Sequence, residues 1–300
     1  MKIPLATIAV FGTLSSVATT PAFGKVLWKG DFETRDISQW GVKENPGGPE
    51  RFQIVTSPVR QGKYALRVET RQGDKYKTNS GNRNELSRED VVINKGDDEF
   101  YRWSVRFDDN FPSPAGTWEV VAQWHSRYSA VPIQLQLNGE KISLGVGNEV
   151  DGPWPGTQVI PWATSFQRGV WYDFIAHFKF SPNTNEARTN FWVNGKKVVD
   201  NLAAPNMFRG ETNYMKAGLY RKDTIQANGV VYQDGWMLAD RIEDLLTDGY
   251  QITPYDPNHI SGGGDHGTST TTTLAPPAHP TTLPPAHPPV CTPCVCPPKY

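Results

Sequence analysis

The chain has 300 residues, with 30 Lys and Arg against 31 Asp and Glu, a formal net charge of −1. That balance excludes the basic excess with which nucleic-acid binders neutralise phosphates. The hydrophobic content of 37% and aromatic content of 11% exclude a wholly disordered chain. All the cysteines, Cys291, Cys294 and Cys296, lie at the C-terminal end, so the rest of the sequence holds no disulfide, thiol nucleophile or thiolate metal site.

Residues 1–22 read as a secretory signal. Lys2 supplies the positive start, and Ile3 to Val17 is mostly apolar or small but too short to span ~30 Å of hydrocarbon as a helix. Small residues at Ser16 and Ala18, or Thr20 and Ala22, offer cleavage sites. A secreted, extracellular protein with no membrane partner is expected. Residues 23–257 form the one folded domain. Residues 258–300 are a Thr/Pro-rich tail ending in the cysteine cluster, too poor in large apolar side chains to bury a core.

The domain reads as strand after strand. Candidate strands run over 26–32, 51–56, 64–70 and 83–88. At 100–107, Tyr101, Trp103, Val105 and Phe107 alternate with polar residues, the period of a half-buried strand. Further candidates are 118–125, 131–137 and 141–146. Over 171–180, Tyr172, Phe174, Ala176, Phe178 and Phe180 share one side. Residues 191–199 form a hairpin in which Asn194-Gly195 supplies the two positive-φ positions of a type I′ turn. Strands at 214–220 and 230–239 follow, and 240–246 reads as a short helix. Many short strands, few helices and frequent Gly/Pro turns predict a two-sheet antiparallel sandwich.

In such a sandwich the outward face of a curved sheet offers a concave groove to an extended polymer. Three segments place polar residues on one face at period two. In Asn82-Arg83-Asn84-Glu85-Leu86-Ser87-Arg88, Arg83 and Glu85 share a face. In 118–125, Gln123 and His125 share a face, with Val120, Ala122 and Trp124 opposite. In 214–221, Lys216, Gly218 and Tyr220 share a face.

These segments, Arg83-Asn-Glu85, Gln123-Trp-His125 and Tyr214-Met-Lys216-Ala-Gly-Leu-Tyr220, resemble the three signature strands of the jelly-roll polysaccharide lyases. That group contains the alginate lyases, glucuronan lyases and heparinase relatives, and it carries the three motifs in this order. The resemblance covers roughly residues 25–250. It implies an all-β, concanavalin-like jelly roll and cleavage of a 4-O-linked uronic-acid polymer by β-elimination. Ser87 before Arg88, Lys222 two places after Tyr220, and Tyr232-Gln-Asp-Gly235 make the chain more similar to the glucuronan-lyase and heparinase-like branch than to alginate lyases.

β-Elimination removes the C5 proton and expels the C4 oxygen, so the neighbouring carboxylate must be neutralised. Arg83 and Gln123 suit that role, with Lys216 assisting. His125 suits the base and Tyr220 the acid, or Tyr220 serves as both. Glu85 orients Arg83 or Lys216. Arg88 and Arg221 add to a cationic surface that would steer an anionic polysaccharide. No cofactor is required for this chemistry, although Asp31, Glu33 and Asp234 are candidate ligands of a structural Ca²⁺. A monomer is expected. Two other readings are a glycoside hydrolase, whose best carboxylate pair is Glu149 and Asp151, and a non-catalytic carbohydrate-binding lectin.

Overall fold

The structure is a computed structural model that describes residues 25–255 except 79 and 148–157. The expected signal segment and tail, the three cysteines and the pair Glu149 and Asp151 lie outside the described residues.

Among the described residues the fold is built on fifteen strands: β1 (Val26–Gly30), β2 (Gly41–Glu44), β3 (Phe52–Val55), β4 (Ala65–Thr70), β5 (Asn82–Ser87), β6 (Asp98–Phe107), β7 (Trp118–Ser126), β8 (Ile133–Asn138), β9 (Lys141–Val146), β10 (Val159–Ser165), β11 (Trp171–Lys179), β12 (Arg188–Val193), β13 (Lys196–Leu202), β14 (Asn213–Arg221) and β15 (Gly229–Ala239). One sheet runs β13-β12-β11-β6-β15-β4-β3, with β1 also paired to β15. The other runs β10-β9-β8-β7-β14-β5-β2. All strand pairings are antiparallel.

Alternation explains what lies between the sheets. Tyr101, Trp103, Val105 and Phe107 of β6, and Tyr172, Phe174, Ala176 and Phe178 of β11, all enter one core. They meet Leu86, Trp124 and Leu219 from the second sheet. Trp103 stacks on Trp236 at 4.9 Å and meets Trp124 edge-on at 5.6 Å. Such offset and edge contacts add to the area these rings bury. The β12–β13 turn has Asn194 at φ 50° and Gly195 at φ 79°, as the hairpin signal required.

The outer face of the eight-stranded sheet is partly covered. Ile175, Trp192, Met237 and Ala239 form a second apolar cluster with Leu245 of a 3-10 helix (Ile242–Leu245), flanked by Tyr250 and Ile252. The outer face of the seven-stranded sheet carries the polar residues instead. Two strands are absent from the sequence expectation, β2 and β10, and both are edge strands of this second sheet.

Candidate active site

The three motif segments are adjacent strands in the order β7-β14-β5. Register then decides which side chains meet. Tyr220 pairs with Arg83, Gly218 with Glu85 and Lys216 with Ser87 across β14 and β5. On the other side of β14, Lys216 pairs with Gln123 and Tyr214 with His125. Directly paired residues share a face, so all these side chains project from the same outer face.

At the centre is the Glu85 carboxylate, 2% exposed. Its Oε2 lies 2.9 Å from Lys216 Nζ and 3.5 Å from Arg83 Nη1, and its Oε1 accepts the Gln123 amide. Lys216 is 1% exposed. Burial would lower the Lys216 ammonium, but the attraction of Glu85 and then Glu44 outweighs it and holds the pKa above the usual lysine value. Arg83 behaves alike: burial opposes its charge, and Glu85 and Glu44 restore it. Arg83 also donates from Nη2 to Ser80 Oγ at 3.1 Å and lies 3.5 Å over the Tyr220 ring. Trp118 closes the other side of Tyr220, edge-on at 4.7 Å. Arg83, Glu85, Gln123, Lys216 and Tyr220 are therefore one contact cluster.

His125 stands one pair further along β14, half-buried and 5.5 Å from the Tyr214 ring. Its Nδ1 is 2.5 Å from the Ser126 carbonyl oxygen. A carbonyl can only accept, so Nδ1 carries the proton and the basic lone pair belongs to Nε2. Tyr214 is pushed up to about 12 by burial, with Lys216 acting against the shift.

Gly218 has a different role from the gap its lack of side chain implied. Its φ is 151°, and a Cβ there would fall 2.3 Å from the Asn84 carbonyl oxygen. Glycine is needed for the close approach of β5. The β14–β7 register slips here, between Ala217 and Tyr220. The β7–β8 register slips between Val120 and Ala122. The latter bulge turns Val121 and Ala122 both into the core and brings Val120 to the outer face opposite Tyr220. Simple alternation had put Val120 inside.

Two cations expected at the site lie elsewhere. Arg221 follows Tyr220 and so points inward. It is fully buried, donates from Nη1 to the Ala227 carbonyl at 2.6 Å, and pairs in register with the buried Glu119. Arg88 has the parity of Leu86. It lies 4.5 Å over Trp28 at the seam between the sheets and donates from Nε to Asp90. Charge clustering in sequence had overridden strand parity in both cases.

Of the three candidate calcium ligands, Asp234 has its carboxyl raised chiefly by burial, and Glu33 lies near enough for its charge to add to the rise. Asp31 Oδ1 accepts from Gln39 Nε2 at 2.9 Å, and Glu33 Oε1 accepts the Lys63 and Tyr64 N–H groups. Asp234 Oδ2 accepts the Arg60 and Gln61 N–H groups, and its Oδ1 is buried without a partner. Among the described residues no three His, Cys, Asp or Glu side chains gather as metal ligands.

Three residues at the site were missed. Glu44, on the short strand β2, accepts from Lys216 Nζ at 2.6 Å and also from Arg83. Burial would raise its carboxyl, but Lys216 and Arg83 hold it down at about 2. Gln134 and Gln136 extend the polar face onto β8, with Gln134 opposite Gln123. Gln134 Nε2 donates to Gln136 Oε1 at 2.8 Å and to Gln158 Oε1 at 3.0 Å. The alternation Ile133-Gln-Leu-Gln-Leu137 carried that signal.

Comparison with known proteins bears on this arrangement. The sequence profile of the family described as polysaccharide lyase matches residues 32–237. An endo-β-1,4-glucuronan lyase of the fungus Trichoderma reesei superposes with TM-score 0.60 at 13% identity, covering 74% of this chain and 98% of that one. The catalytic domain of a glycoside hydrolase family 131 protein from Coprinopsis cinerea superposes with TM-score 0.51 at 18% identity, covering 72% and 94%. The alginate lyase A1-II′ of polysaccharide lyase family 7 superposes with TM-score 0.48 at 14% identity, covering 64% and 83%. No curated protein sequence matches the chain. At these identities the first two superpositions establish a shared β-sandwich fold. The family match covers most of the sandwich, and the chain belongs to the polysaccharide lyase family.

Proposed function

We propose that this lyase is secreted and cuts a 4-O-linked uronic-acid polysaccharide by β-elimination, with a glucuronan-type or heparin-like polymer favoured over alginate. The observation that carries the reading is the contact cluster of Arg83, Gln123, Lys216 and Tyr220 on one sheet face, with the His125 imidazole beside it. A substrate carboxylate set against Arg83, Gln123 and Lys216 would have its charge offset as the C5 proton leaves, which stabilises the enolate-like intermediate. The electron pair of the C5–H bond moves into the C4–C5 double bond, and the C4–O bond breaks. His125, with its lone pair on Nε2, suits proton abstraction. Tyr220, held between Arg83 and Trp118, suits protonation of the leaving oxygen. The amides of Gln134 and Gln136 would bind neutral hydroxyls of neighbouring sugars.

Hydrolysis is the weaker reading. Glu44 and Glu85 both touch Lys216, a closeness that two hydrolytic carboxylates would also need. A hydrolase needs one of them protonated at working pH. Glu44 at about 2 holds no such proton, and Glu85 is shut away from a sugar, 2% exposed and enclosed by Lys216, Arg83 and Gln123.

The test is a panel of glucuronan, heparin, alginate and pectate, monitored by absorbance near 235 nm, where the unsaturated uronate end absorbs. A rise with glucuronan or heparin exceeding that with alginate is expected. New reducing ends without that absorbance would establish hydrolysis instead.

A further inference from the structure

Glu44 belongs to none of the three motifs, and the elimination chemistry has no role for it. Its position is nonetheless specific. It ends β2, the edge strand next to β5, and pairs in register with Glu85. Its carboxylate is shared between Lys216 and Arg83. It is also the most exposed member of the cluster: its side chain is 26% exposed, against 8% for Arg83, 2% for Glu85 and 1% for Lys216. Glu44 is therefore the layer between solvent and the two cations.

The charge count follows. Two cations and two carboxylates leave this cluster balanced before any substrate arrives. A uronate carboxylate approaching from the open face meets Lys216 and Arg83 at a point already held by another carboxylate. Three carboxylates crowded on two cations repel one another more than two do. The incoming group can replace Glu44 or be kept out by it. Replacement is mechanically cheap here. β2 has four residues, lies at an edge, and its register with β5 slips between Val42 and Glu44. Asn45-Pro46-Gly47-Gly48 follows, with Gly48 at φ 92°. A small movement of this strand end leaves β5, β14 and β7 intact.

We infer that Glu44 is a displaceable carboxylate: it holds the place of the substrate's uronate carboxylate on Lys216 and Arg83, and gives it up when an acidic sugar binds. The inference rests on the acidic-polysaccharide reading above and deepens it. A neutral sugar offers nothing to replace the two ion pairs, so Glu44 also discriminates against neutral polymers.

The test compares wild-type protein with Glu44→Gln and Glu44→Ala. Binding of free D-glucuronate is measured by NMR titration, with methyl glucoside as the neutral control, and KM and kcat on the cleaved polyuronate are measured alongside. Glucuronate is expected to bind at least ten-fold tighter to both variants, with methyl glucoside changed far less. KM should fall further than kcat changes. If glucuronate binding were unchanged or weakened in folded Glu44→Gln, Glu44 would be a scaffold for Arg83 and Lys216, and the inference would be overturned. If Glu44→Ala does not fold, the isosteric Glu44→Gln decides alone. A wild-type crystal soaked in glucuronate offers an independent check: Glu44 should leave Lys216, and a bound sugar carboxylate with Glu44 still in place would contradict the idea. Should no polyuronate be cleaved at all, the lyase reading fails while the glucuronate titration still judges Glu44.

Discussion

Lys216 and Glu85 form an ion pair at 2.9 Å with side-chain exposures of 1% and 2%, so each is the other's principal compensation for leaving water. Removing one partner strands the other charge. Lys216→Met should therefore destabilise the protein by about 3–5 kcal/mol as well as abolish activity. Urea denaturation checks this. The double variant Lys216→Met/Glu85→Gln should recover part of the stability and none of the activity. A single variant as stable as wild type would mean that water reaches the pair.

Tyr220 and His125 invite substitutions that spare the fold. Tyr220→Phe keeps the ring between Arg83 and Trp118 and removes only the hydroxyl. His125→Asn keeps a group able to donate to the Ser126 carbonyl. Each should lower kcat by ~10²–10⁴-fold with little change in melting temperature. Near-normal turnover by either variant would remove that residue from the proton transfers.

Buried Glu119 sets an alkaline limit. Burial raises its carboxyl to about 8, with the Arg221 charge and then a Ser113 hydroxyl pulling the other way. The folded state thus binds a proton that the unfolded chain releases near the ordinary glutamate value. The sign follows: stability is lost as pH rises from about 4.5 to 8. The slope approaches about 1.4 kcal/mol per pH unit within that window. Glu119→Gln should flatten it, stabilising the protein at pH 8.5 and changing little at pH 5. Parallel pH–stability curves for the variant and wild type would show that Glu119 is ionised in the folded state.

Gly218 is the most demanding backbone position at the site. With φ at 151° and the Asn84 carbonyl oxygen 2.3 Å from any added Cβ, Gly218→Ala must push β5 away from β14. A loss of more than about 2 kcal/mol is expected, with activity falling as Arg83 and Tyr220 lose register. Thermal unfolding and turnover on the same preparation would test this.

Much of this site could be read from sequence because one face of β5, β7 and β14 is polar and the other packs on aromatic rings. Period-two alternation then places Arg83, Glu85, Gln123, His125, Lys216 and Tyr220 together without knowledge of the fold. Alternation fails where the chain adds a residue. The bulge at Val121 and Ala122 moved Val120 across the sheet, and no local composition announced it. It fails again for short elements: the Gly-Val-Lys-Glu of β2 is too brief to show a period, so Glu44 was invisible. Arg88 and Arg221 show the opposite error. Parity alone would have turned both inward, and their charge argued otherwise.

The course of the chain after the last strand has a practical side. Tyr250 and Ile252 lie against the covered face of the eight-stranded sheet, and Thr253 bridges Lys196 at the β12–β13 hairpin. A solid support or fusion partner joined directly at residue 255 would be attached behind the molecule. The enzyme would then be held with Arg83, His125 and Tyr220 turned toward whatever polymer flows past.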